Sequence, residues 1–296
     1  MRKLSRAFTW ALALALLVTA SLLAISGNAV GARHVAVRSS SSPRLSVLAY
    51  HAIDELDEDP ILARYSVHPV QFAEQLDHLS ERGWNFVDLD QVLAAFAGER
   101  CLPSRPVLLT FDDAYADLHH TVHPILSERR IPAVTFAVAG QVGGTNIWDS
   151  ENGAASLDLL DIDGLREIAS QGIEVGAHTV NHPALTRVPS GRLEEEIHVA
   201  ADLLEEAGLP RPRAFSYPYG RWNPQVVDAV RDAGYEVAFT VDHGVVCDGA
   251  DRHALPRIAV HADDTPFRLH LKLATAGWPH SVRAALRWLD RVRSRV

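Results

Sequence analysis

Two adjacent carboxylates, Asp112 and Asp113, close the apolar run Val107–Phe111. A carboxylate buried at the mouth of such a run is costly unless something offsets its charge. A metal ion offsets one of the pair, and the other can then accept a proton from a water beside the ion. The plainer reading is a loop start whose Asp caps a helix. Farther on, His178 and His182 stand four residues apart in His178-Thr179-Val180-Asn181-His182. Two imidazoles at that spacing can reach one ion if the backbone turns between them. The chain has 15 histidines, so about one such spacing is expected by chance. His119 and His123 repeat it on a predicted helix, where a solvated face is the expected role. The later pair is preferred because it follows a strand, as Asp112 and Asp113 do. His51 and the pair Tyr219 and Gly220 also follow apolar runs.

These side chains need a scaffold that gathers strand ends. Short apolar runs alternate with amphipathic stretches from Leu45 onward. The runs predict strands over Leu45–Tyr50, Phe86–Leu89, Val107–Phe111, Ala133–Val138, Ile173–Ala177, Ala214–Tyr217, Val237–Val241 and Leu255–Val260. Helices are predicted over Pro69–Arg82, from the second strand to Ala97, and over His119–Arg129, Asp161–Ser170 and Pro224–Ala233. Two more, Thr265–Ala276 and Val282–Arg293, close the chain. A further helix runs to Ala207, with Ser190 as its N-cap and Glu194, Glu195 and Glu196 near its positive end. The Gly-rich stretch Gly140–Ser156 reads as a surface loop. The alternation implies α/β architecture with a parallel sheet, and its repeat number implies a barrel of seven or eight units. In such barrels catalytic groups stand just past the C-terminal strand ends, and the four polar clusters obey that rule.

Thr110-Phe111-Asp112-Asp113, His178-Thr179-Val180-Asn181-His182 and Phe215-Ser216-Tyr217-Pro218-Tyr219-Gly220 resemble, in order and spacing, the polysaccharide deacetylases of carbohydrate esterase family four. The resemblance runs from about Leu45 to Phe267. The opening Val47-Leu48-Ala49-Tyr50-His51-Ala52-Ile53 resembles the poly-N-acetylglucosamine deacetylase branch, whose barrel is circularly permuted. It implies a distorted (β/α)7-8 barrel and one divalent ion, Zn²⁺ in most of the family. Asp113, His178 and His182 would bind the ion, Asp112 would be the general base, and His51 the general acid. The Tyr219 N–H would serve an oxyanion hole, a contact worth roughly 3–4 kcal/mol. The implied partner is an acetylated polysaccharide. Ser216 departs from the pattern, since many family members carry a base-orienting arginine there. Arg257, near another strand end, is the candidate substitute, with an ordinary surface ion pair as its alternative. His261 competes with His51 for the acid. Tyr65, Tyr115, Trp148 and Trp222 are candidates for stacking on sugar rings, with Trp148 preferred because it lies in the polar loop.

An O-acetyl esterase would use the same chemistry. A non-catalytic carbohydrate-binding barrel is disfavoured because both acids and both histidines are present. A glycoside hydrolase is disfavoured because neighbouring carboxylates do not easily flank one bond. A net charge of −9 argues against nucleic acid as a partner. Arg2, Lys3 and Arg6 precede the uncharged stretch Ala7–Ile25, the layout of a signal peptide or N-terminal membrane anchor over residues 1–32. Residues 33–43 read as a linker and 44–296 as the catalytic domain, expected to be an exported monomer. Membrane contact is expected only through the N-terminal segment. Cys101 and Cys247 either pair or stay free.

Overall fold

The computed structural model describes residues 44–278. The predicted leader, the linker and the helix over Val282–Arg293 lie outside them. Among the described residues eight strands form, all pairing in parallel: β1 Ser46–Tyr50, β2 Asn85–Phe86, β3 Pro106–Phe111, β4 Ala133–Ala137, β5 Ile173–Ala177, β6 Ala214–Ser216, β7 Val237–His243 and β8 Leu255–Ala259. The order runs β1-β8-β7-β6-β5-β4-β3, and β3 pairs back to β1, so seven strands close a barrel. The short β2 sits outside that ring against Pro106 and Val107, while β4 pairs with Thr110 and Phe111. The predicted distorted α/β barrel is the fold observed.

Strand residues sort by parity, as a pleated strand requires. Leu48, Tyr50, Leu109, Phe111, Ile173 and Val175 join an apolar cluster with helix residues Phe72, Leu76, Leu79, Ile168 and Leu204. The alternate positions Val47, Leu108, Val134, Phe136, Val237, Phe239 and Leu255 form a second cluster inside the ring. Both strand faces are therefore buried, which is why the strands read as unbroken apolar runs. Toward the C-terminal rim the inward positions turn polar. Thr110, Ser216, Thr240 and Arg257 are all fully buried.

Several helices start where the sequence predicts them. Pro69 opens the helix Pro69–Glu81, Asp161 caps Ile162–Ser170 and Thr265 caps Pro266–Thr275. The predicted N-cap Ser190 is instead the first helical residue, with Pro189 before it, and its hydroxyl accepts the Gln225 amide at 2.9 Å. The predicted helix from His119 begins with a π-helical turn, Leu118–Val122, before His123–Arg129. Gly140–Ser156 is more than a surface loop. It contains the short helix Ile147–Ser150, and Asn146 is buried, its side chain bonded to the Ala155 carbonyl and the Leu157 N–H. Cys101 and Cys247 are exposed and free. No helix among the described residues is long and apolar enough to cross a membrane.

Candidate active site

The parallel register of β1 and β3 pairs Tyr50 with Phe111, so His51 and Asp112 leave the barrel side by side. The Asp112 N–H donates to the Tyr50 carbonyl at 3.0 Å, and His51 Nε2 stands 4.0 Å from Asp112 Oδ2. Arg257 enters this corner from β8, through the barrel interior. Its Nη1 and Nη2 meet both Asp112 oxygens at 2.8 and 2.7 Å. It also donates to Thr110 Oγ1, Ser216 Oγ and the Thr240 carbonyl at 3.1, 2.9 and 2.8 Å. Burial alone would raise the Asp112 carboxyl, but the guanidinium holds it well below the usual carboxylate range. Arg257 is thus no surface ion pair. It clamps Asp112 from the place Ser216 leaves open.

Asp113 turns the other way, with φ at 72°, toward His178 and His182. Its Oδ1 lies 3.6 Å from His178 Nε2 and 3.4 Å from His182 Nε2. Donors set about 2.1 Å from one centre at tetrahedral angles stand about 3.4 Å apart, so the three atoms fit one ion. The electrostatics agree. Asp113 Oδ1 is buried without a hydrogen bond. Burial, then Asp112 and Asp149, push that carboxyl well above its ordinary range, against a smaller lowering pull from Tyr115 and Arg257. Burial also lowers His178 to about 4 and pushes His182 well below its ordinary range, which keeps both imidazoles neutral, as ligands must be. His178 Nδ1 lies 2.6 Å from the Ser216 carbonyl, a bond that leaves Nε2 as the free lone pair.

The His178–His182 loop owes its shape to groups the sequence reading did not single out for it. Thr179 and His182 have φ of 68° and 58°, conformations that non-glycine residues adopt only when surroundings impose them. The Thr179 hydroxyl accepts the His182 N–H at 2.9 Å. Glu196, buried on the helix Ser190–Glu206, accepts the Val180 and Asn181 N–H groups at 3.2 and 2.9 Å and the Asn181 amide at 3.0 Å. It therefore serves the loop beyond any interaction with the helix terminus. Gly140 packs against the loop from β4's end. A Cβ there would stand 2.7 Å from the Val180 carbonyl oxygen.

Tyr219 forms the far wall. Its backbone is left-handed, with φ at 57°, and its N–H donates to no acceptor among the described residues. Its ring packs edge-on to His182 at 4.7 Å and is 48% exposed. Trp148, predicted to stack on sugar, is instead 9% exposed and lies on the His182 ring at 4.4 Å. Tyr115 is buried as well, whereas Trp222 is 39% exposed, with its indole N–H on Asp242 Oδ2 at 2.9 Å.

His261, the rival acid, stands apart. Tyr65 lies between the two histidines, 5.1 Å from His51 and 5.7 Å from His261. Burial and the Lys272 ammonium push His261 down to about 4. His261, Asp263 and Asp264 cluster, but Lys272 already bonds Asp264 Oδ2. His119 pairs with Glu167 at 3.0 Å on the surface and takes no part in the site.

Fold and site together define a parallel barrel with a His-His-carboxylate cluster at its C-terminal rim, the donor set of hydrolytic metal centres. The polysaccharide deacetylase family model matches residues 99–238. Over those residues the chain is similar to that family. It is 23% identical over 277 residues to the poly-beta-1,6-N-acetyl-D-glucosamine N-deacetylase of Staphylococcus aureus strain N315, covering 84% of this chain and 93% of that one. Two solved structures are similar. IcaB from Ammonifex degensii has a TM-score of 0.66 at 28% identity, covering 78% of this chain and 97% of that one. The Streptococcus pyogenes deacetylase PplD in complex with acetate has a TM-score of 0.67 at 25% identity, covering 78% and 98%. His51 and Arg257 lie outside the matched residues 99–238. Sheet closure is what returns them to the site.

Proposed function

We propose that this protein is a metal-dependent hydrolase that removes N-acetyl groups from an extracellular amino-sugar polymer of the poly-N-acetylglucosamine, peptidoglycan or chitin kind. One observation carries the reading. A carboxylate clamped in its ionised form, Asp112, stands beside a separate carboxylate–imidazole cluster of metal-ligand spacing. The names of the relatives, a poly-beta-1,6-N-acetyl-D-glucosamine N-deacetylase and a deacetylase holding acetate, support the same class of substrate.

Asp113, His178 and His182 would hold one divalent ion, and two imidazoles with one carboxylate suit Zn²⁺. The ion would polarise the acetyl carbonyl and acidify the attacking water. Asp112 takes that water's proton as general base, oriented by the Arg257 fork. The Tyr219 N–H donates to the oxygen on which negative charge develops. His51 gives a proton to the departing amine, which leaves poorly as an anion. His51 suits this role better than His261, since it faces Asp112 and has no ammonium beside it. Burial lowers His51, and the Asp112 carboxylate pulls in the opposite direction. The basic and apolar N-terminal segment supports export, with secretion or anchoring as its outcome.

The test is acetate release from N-acetylglucosamine oligomers and from acetylxylan, with and without chelator. Release from the first alone, abolished by chelator, is expected. Release from acetylxylan alone would make the enzyme an O-acetyl esterase. No acetate from either would overturn the enzyme reading.

A further inference from the structure

Asp117 is buried four residues beyond Asp113, yet nothing in the chemistry above uses it. Its Oδ2 accepts the Ile53 N–H, and its Oδ1 is buried with no hydrogen-bond partner. Ile53 lies two residues past His51, and Ala52 and Ile53 are themselves buried. On the other side of His51, the Tyr50 carbonyl accepts the Asp112 N–H at 3.0 Å. The segment 50–53 is therefore tied at both flanks to the segment 112–117, which carries Asp112 and Asp113. His51 has no side-chain tether of its own, because its Nδ1 is buried without a partner. Its placement falls to the backbone on either side.

We infer that Asp117 is a positioning residue that sets the reach of His51 to the site by holding the Ile53 N–H. This rests on His51 acting as the acid. A lone buried carboxyl is a costly way to accept one N–H, and a cost kept beside a site points to geometry rather than stability. Oδ2 accepts the bond whether or not the carboxyl is protonated, so the acceptor atom and not the charge does the positioning.

The experiment compares Asp117→Asn, which keeps an acceptor, with Asp117→Leu, which has similar shape and none. Asp117→Ala is a further variant should Leu not fold. Acetate release, bound metal and the His51 ring-proton shifts are read in each full-length protein. Asp117→Leu is expected to lower kcat about 10- to 100-fold. KM should stay within about threefold, metal content should be unchanged, and the His51 resonances should move. Asp117→Asn should stay within about threefold of wild type in kcat. Equal damage in Asn and Leu, loss of metal in Leu, or an unchanged kcat in Leu would overturn the inference. If wild type releases no acetate, the functional reading fails instead. The His51 shifts then decide, and identical shifts in wild type and Asp117→Leu would refute the tether.

Discussion

Arg257 and Asp112 form a buried, bidentate pair, and Arg257 also meets polar partners from other strands. Removing one member of such a pair leaves the other uncompensated, which costs about 3–5 kcal/mol. Arg257→Ala is therefore expected to lower both thermal stability and kcat. Arg257→Lys should restore little of either, since an ammonium cannot reproduce the fork. Wild-type kcat in either variant would show that Asp112 does not depend on this clamp. Asp117 makes a contrary electrostatic case. Burial, opposed by the Ile53 N–H and reinforced by Asp54, pushes its carboxyl up to about 7. A raised carboxyl binds its proton more tightly folded than unfolded, so its contribution is full below about pH 4 and is lost as pH rises through about 7. Asp117→Asn should thus be more stable than wild type at pH 8, by about 1–3 kcal/mol, and should lose that advantage at pH 4. Urea melts at the two pH values test it, and an advantage that does not shrink on acidification would contradict the assignment.

Elements hold the site in shapes that single residues resist. Five of the non-glycine residues with positive φ, namely Asp113, Ala114, Thr179, His182 and Tyr219, lie at the rim. Glu196 is the element-scale support for two of them, reaching from its helix to three N–H donors of the ligand loop. Glu196→Ala should weaken metal binding about 10- to 100-fold with the ligands intact, as losses beneath a metal site do. Competition with a chromogenic chelator measures it, and an unchanged affinity would refute the support. Much of this architecture was legible in the sequence. The eight strands and the rim position of Asp112, Asp113, His178, His182 and Tyr219 followed from apolar runs and their polar ends. Arg257 was legible too, though only through the vacancy at Ser216. Glu196 and Asp117 were not, because an acid on a polar-looking helix or loop is indistinguishable from a solvated one until packing is known. Trp148 misled for a similar reason. Its loop is rich in glycine and polar residues, but the buried Asn146 folds it back so that the indole covers His182.

At the scale of the molecule, closure of the ring joins chain segments far apart. His51 comes from the first strand, Arg257 from the last, and β1 pairs with both β3 and β8 to bring them to Asp112. An ion bound only by the closed barrel should stabilise it as a whole. Adding Zn²⁺ to chelated protein is expected to raise its melting temperature, and Asp113→Ala should abolish the rise. A rise that survives that substitution would place the ion elsewhere. The division of labour between the adjacent carboxylates is the most exposed claim. It is tested by measuring bound metal and acetate release together in Asp112→Asn and Asp113→Ala. Asp112→Asn should retain one ion per chain while acetate release falls by about 10²-fold or more, and Asp113→Ala should lose the ion and the activity together. Loss of the ion in Asp112→Asn, or wild-type acetate release without Asp112, would contradict it.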